Sequence, residues 1–191
     1  MNDQPTLTLA RYQLDAGRSK FTVQAFAAGL FAGFGHNPVI GIRDFTGDVE
    51  FAPETFAGAQ MRLAINAESL VVLDDVKEKD QEEMERTMHE QVLETARYPE
   101  IVFQSTSIAT TRIIPGRWKA KIIGDLTMHG TTCRGLWIMA QLTLNENELR
   151  AVGDFTLRQT DYEIKLVSVA AGALKLKDEL KFEFDLVGAR E

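Results

Sequence analysis

The sequence predicts a mainly β fold: a run of antiparallel strands interrupted by one amphipathic α-helix. Residues 179–188 alternate without a fault, with Leu180, Phe182, Phe184 and Leu186 on one side and Lys181, Glu183 and Asp185 on the other. That is the period of a strand with one face in a core and one in water. From Arg97 to Ile164, strand-like blocks follow one another across short turns with no helical stretch between them, which implies a meander. Helical spacing is confined to Val76–Glu94, where Val76, Met84, Met88 and Val92 recur at multiples of four among Glu, Lys and Arg. Strands of this kind close into a barrel or pair as a sandwich to hide their edges.

Taken in order, residues 1–9 are polar and expected to fray. Arg11–Asp15 is a short strand and Ala16-Gly17 a turn. In Ser19–Phe26, Phe21, Val23 and Ala25 share a face. Ala27–Gly35 is rich in small residues and glycine and reads as a bulged connection projecting Leu30, Phe31 and Phe34. Val39–Phe51 is a strand with Phe45, Val49 and Phe51 inward, stopped by Pro53. Ala59–Leu73 is another, with Met61, Leu63 and Ile65 on one face. Asp74-Asp75 offers the helix an N-cap. Further strands are expected near 100–110, 117–128, 135–144, 148–157, 162–175 and 179–188. Turns fall at His129-Gly130, Pro115-Gly116 and Asn145-Glu146-Asn147, with a weaker one at Lys177-Asp178. The inward set also takes in Ile101, Phe103, Ile138, Leu142 and Phe155.

At 191 residues the chain reads as a single domain, 1–191, with no repeat or linker. A net charge of −7 argues against nucleic acid or an anionic membrane surface as the main partner, since both call for a positive footprint. Cys133 is the single cysteine, so neither an internal disulfide nor a multi-thiolate zinc site is available. No stretch approaches the ~20 apolar residues of a membrane-spanning helix. The first residues lack the basic and apolar segments of a signal peptide, so the chain reads as cytoplasmic. A homodimer is compatible with it.

Three blocks carry a resemblance: Arg97-Tyr98-Pro99-Glu100-Ile101-Val102-Phe103-Gln104-Ser105-Thr106, then Gly124-Asp125-Leu126-Thr127-Met128-His129-Gly130-Thr131-Thr132, then Phe155-Thr156-Leu157-Arg158-Gln159-Thr160-Asp161-Tyr162-Glu163-Ile164. With Gly35-His36-Asn37-Pro38 and the charged helix, they resemble the YceI-like family over about Arg11–Gly188. The resemblance implies an elongated, hollow, lipocalin-like antiparallel β-barrel that binds long isoprenoid lipids. Two positions depart from the family pattern: Gln159 stands where arginine is usual, and Glu163 where glycine is usual.

Chemistry is sparse. There is no HExxH motif, GxSxG motif or phosphate-binding glycine loop, and no cofactor is expected. His36 and His129 sit beside glycines at strand ends and could meet, and His89 falls on the charged side of the helix. None is expected to ligate a metal. Cys133 neighbours Arg134 but lacks a catalytic context. The better case is an apolar pocket with walls from Leu63, Ile65, Phe103, Phe155, Phe182 and Phe184, a lid from Met84 and Met88, and a mouth from Phe31 and Phe34. His36, Arg43 and Arg158 are candidates for a polar head group. The expected ligand is an apolar lipid, a polyisoprenoid or a quinone-like molecule, bound without catalysis. The alternative is an enzyme or scaffold on the same barrel with His36 and His129 as its polar centre.

Overall fold

The computed structural model describes residues 8–28, 37–169 and 174–191. Phe31, Phe34 and His36 lie outside them. The strands are β1 (Ala10–Leu14), β2 (Lys20–Ala28), β3 (Val39–Ile42), β4 (Phe45–Phe51), β5 (Gln60–Asn66), β6 (Leu70–Val72), β7 (Glu100–Ile114), β8 (Arg117–Met128), β9 (Thr131–Leu144), β10 (Glu148–Arg158), β11 (Ser168–Val169) and β12 (Leu174–Arg190). The helix α1 (Glu78–Thr87) runs into a π-helical turn, Met88–Val92.

Three pairs, β1–β2, β3–β4 and β5–β6, are each one long ribbon with a break. β1 pairs with β4 while β2 pairs with β3, and β4 pairs with β5 while β3 pairs with β6, always antiparallel. With β7, β8, β9, β10 and β12 they make eight antiparallel ribbons in chain order, and β12 closes the barrel by pairing with β2 and β1. Closure removes the exposed edges that amphipathic strands otherwise leave, except at the short β6, which pairs only with β3.

The breaks line up and are tied by polar side chains. Val187 donates its N–H to Ser19 Oγ at 3.0 Å. Asp44 donates its N–H to Ser69 Oγ at 3.0 Å and accepts the Asn66 N–H at 3.0 Å. Val39–Phe51 is therefore two strands rather than one. Ala59–Leu73 is likewise divided by a 3₁₀ turn over Ala67–Ser69 with Asn66 as its cap.

One end of the barrel is plugged. The Tyr12 and Phe51 rings stack at 5.2 Å, Phe51 and Phe56 at 4.2 Å, and Phe56 meets Trp118 at 4.8 Å. Phe56 reaches this stack from a loop, with its backbone in the left-handed region at φ 57°. For a bulky residue that conformation is strained and held by the packing around it.

The other end carries the helix, which lies against the free edge of β6. Gln81 Nε2 donates to the Val72 carbonyl at 3.0 Å, Val72 donates its N–H to Glu85 Oε1 at 2.9 Å, and His89 Nε2 lies 3.0 Å from the Leu70 carbonyl. Residues 81, 85 and 89 thus use one helix face to satisfy an edge strand's backbone groups. His89 is half-buried in this contact rather than on the charged side of the helix. Asp74-Asp75 does not cap the helix. Lys77 holds the N-cap position without a side-chain bond, and Asp74 Oδ2 instead accepts the Val39 N–H at 2.9 Å. Val76 precedes the helix and is not part of its stripe.

Two further expectations are corrected. The strand expected over 162–175 is not continuous: residues 163–167 are not strand, β11 follows, and 170–173 lie outside the described residues. Gln159–Tyr162 is a 3₁₀ turn that Glu163 caps at φ 59°. Lys177-Asp178 is not a turn but a bulge within β12, whose register jumps between Leu176 opposite Ala27 and Leu180 opposite Ala25. The bulge frees the Lys177 carbonyl to accept Gln159 Nε2 at 2.9 Å. Asp178 accepts the Thr160 N–H at 2.9 Å and its hydroxyl at 2.7 Å. These bonds anchor the connection that leaves β10.

Candidate functional site

Inward side chains do not fill this barrel. A cavity of about 440 Å³ runs along its axis from the helix end, within the ~300–1,000 Å³ typical of small-molecule sites. Glycines make part of the room. Gly153 on β10 faces Phe184 on β12, and a Cβ on Gly153 would lie 2.6 Å from Phe184 Cζ. A Cβ on Gly124 of β8 would lie 2.4 Å from Phe103 Cζ. Both rings therefore lie flat over a neighbouring strand instead of projecting to the axis. Phe155 and Phe182 stack at 4.7 Å, and Phe21 meets Phe45, Phe182 and Phe184 edge-on or tilted at 6.2–6.3 Å.

Leu63, Ile65, Phe103, Phe155, Phe182 and Phe184, expected from the sequence as walls, all line the cavity. So do Met84 and Met88, brought over its end by the helix. The helix thus presents two faces a quarter-turn or so apart, one zipped to β6 and one closing the cavity. Residues that alternation alone did not single out complete the wall, among them Ile40, Ile42, Leu70, Met128, Ile164 and Val167. The first four sit on strand segments and were open to the period-two reading. Ile164 and Val167 come from the non-strand connection and had no local signal.

The head-group candidates fare differently. Arg43 is exposed in the break between β3 and β4 and does not line the cavity. Arg158 is 68% exposed and points away, its Nε donating to Asp178 Oδ2 at 2.9 Å. That pairing raises the guanidinium's already high pKa, while the Thr160 N–H and hydroxyl, helped by Arg158, hold Asp178 below the usual carboxylate range. The polar groups that do reach the cavity are Asp80, Glu83 and Thr87 on the helix and Gln159 below it. Gln159 is 4% exposed, and no Lys, Arg or His is found in the described wall. Gln159 is thus the one buried polar side chain at the described cavity.

His129 sits in the tight turn between β8 and β9 with φ 53°, followed by Gly130 at φ 76°, the paired left-handed conformation of a type I′ hairpin. Its Nδ1 is 3.2 Å from the Tyr162 carbonyl and its Nε2 2.9 Å from Glu94 Oε2, with the Tyr98 ring packed on it at 4.7 Å. Both ring nitrogens face acceptors, so the imidazole ties the helix exit and the 3₁₀ turn to the hairpin. Tyr162 is buried, which together with Cys133 beside it pushes its phenol far above the usual range and keeps it neutral. Cys133 donates its thiol to the Asp161 carbonyl at 3.1 Å. Among the described residues no group of three or more His, Cys, Asp and Glu is arranged to hold a metal, and no helix is long and apolar enough to cross a membrane.

Solved structures of the same architecture are known. BcnA from Burkholderia cenocepacia aligns with a TM-score of 0.68 at 16% identity, over 91% of this chain and 98% of that one. A polyisoprenoid-binding domain from Saccharophagus degradans, implicated in plant cell wall breakdown, aligns at 0.67 and 14% identity, over 96% of this chain and all of that one. A YceI protein from Campylobacter jejuni aligns at 0.56 and 14% identity, over 80% of this chain and 84% of that one. At these identities the likeness establishes the fold. No curated protein sequence matches the chain. A family model, the YceI-like domain, matches residues 12–188, and the chain belongs to the YceI-like family.

Proposed function

We propose that the chain binds a long apolar lipid, a polyisoprenoid or a quinone-like molecule, in the barrel interior and carries or buffers it without catalysing a reaction. The observation that carries this is the cavity of about 440 Å³ with an almost wholly apolar wall inside a closed barrel. A tail without hydrogen-bonding groups gains roughly 25 cal/mol for each Å² of surface it removes from water there. The Saccharophagus domain of like fold, described as polyisoprenoid-binding, supports the same reading. The tail lies along Leu63, Phe103, Phe182 and Phe184, and Met84 and Met88 close over it. The head stays at the helix end, beside Gln159 and the carboxylates of Asp80 and Glu83. Two carboxylates repel a phosphorylated head and a buried amide suits a neutral one, so the favoured ligand ends in a hydroxyl or a carbonyl.

Displacement of the fluorescent apolar dye N-phenyl-1-naphthylamine tests this. A long-chain prenol should displace the dye saturably, and the corresponding prenyl phosphate should do so more weakly. Met88→Trp should narrow the entrance and weaken both while leaving the melting temperature nearly unchanged. Dye binding that ignores Met84 and Met88 substitutions alike, or no displacement by any prenol, would refute the proposal.

A further inference from the structure

Beneath the main cavity lies a second apolar void of about 40 Å³, bounded by residues that include Leu14, Phe56, Ala120 and Leu149. The two share a rim. Met61, Ile122, Ala151 and Leu186 line both. They come from β5, β8, β10 and β12, four walls spread around the barrel, so they ring its axis as a waist. Below the lower void, Phe56 belongs to the stack that plugs the barrel's end.

The members of the ring differ in what they can do. Ile122 and Leu186 are buried and branched, 8% and 5% exposed, and Ala151 has nothing to rotate. Met61 is partly buried, unbranched and bears a flexible thioether, so it alone of the four can swing between filling the waist and clearing it. Its backbone is fixed meanwhile, because the Met61 N–H is held by Ser105 Oγ at 2.8 Å. We infer that Met61 sets the chain length of the bound lipid: a tail entering from the helix end fills the upper cavity, meets Met61 at the waist, and reaches the lower void only as far as that side chain yields.

This rests on lipid binding as proposed above, and the test separates the two. The dye is displaced by a series of all-trans prenols of increasing length, in the unaltered protein and in two opposed variants. Met61→Ala removes Cγ, Sδ and Cε from the waist and joins the voids. The length of tightest binding should move up by about one isoprene unit, with the next longer prenol gaining at least about tenfold in affinity. Ala151→Leu fills the waist from the opposite wall and should move the optimum down. If prenols bind but the optimum stays put in both variants, or moves the same way in both, Met61 is not the ruler and lipid binding stands. If no prenol binds even the unaltered protein, both readings fall.

Discussion

Gly153→Ala puts the hollow-barrel geometry to a test decided by sign. In a strand with free space beside it, replacing glycine by alanine stabilises by roughly 0.5–1 kcal/mol, because the unfolded chain loses freedom. Here the added Cβ would lie 2.4 Å from the Met139 carbonyl oxygen and 2.6 Å from Phe184 Cζ. Neither distance is tolerable, and the backbone oxygen cannot rotate away. The strand must shift and the Phe184 ring must tip toward the axis, an overpacking cost of about 1–3 kcal/mol. At this chain length each kcal/mol is about 2–4 °C of melting temperature. Gly17→Ala is the control, since its Cβ would meet only Asp15 Oδ1 at an ordinary 3.4 Å. Thermal unfolding followed by circular dichroism should show Gly153→Ala melting lower and Gly17→Ala unchanged or higher. Gly153→Ala should also take up less dye, because the ring now occupies the cavity. A Gly153→Ala protein that melts higher and binds normally would show that Phe184 does not lie over that glycine.

Other outcomes follow from single contacts. Glu163 sits at φ 59°, a left-handed conformation that favours glycine, so Glu163→Gly should raise stability by about 0.5–1 kcal/mol in chemical denaturation, strain relief being partly offset by the freer unfolded chain. Glu85→Ala leaves the buried Val72 N–H without its acceptor, which should cost about 1–3 kcal/mol and speed hydrogen exchange at that amide while distant barrel amides stay protected. Asp178 titrates below its unfolded value, so its contribution is present above about pH 4 and lost as pH falls through the lower folded value. Asp178→Asn should therefore lower the melting temperature at pH 7 and make its decline toward pH 2 shallower.

The barrel was legible because its strands carry their own labels. Residues 180–186 place Lys181, Glu183 and Asp185 outside, and the structure pairs them there, Lys181 with Glu183 at 2.7 Å and Asp185 with Arg150 at 2.6 Å. The inward list was found buried or, for Val49 and Phe155, packed against the core. What escaped depends on partners distant in sequence. The break at Asp44 is held by Asn66 and Ser69, and the bulge at Lys177 by Gln159 and Thr160, none of which a local window joins. The second helix face was present as Gln81, Glu85 and His89 at a spacing of four, but polar residues there look like solvated surface until an edge strand appears opposite. Arg43 and Arg158 were chosen by charge and position in the chain, but Arg43 is exposed in the break between β3 and β4 and the Asp178 pairing holds Arg158 outward. Phe56 gave no sign of plugging the barrel because a residue in a loop has no period to betray its direction.

The most direct measurement is native mass spectrometry of the freshly purified, untagged protein, followed by organic extraction of the same sample. Lipid carriage in the barrel should appear as an adduct of one lipid per chain, neutral at its head, recovered in the extract and depleted in Met88→Trp. A chain mass without adduct, in a protein that also fails to take up added prenol, would contradict it.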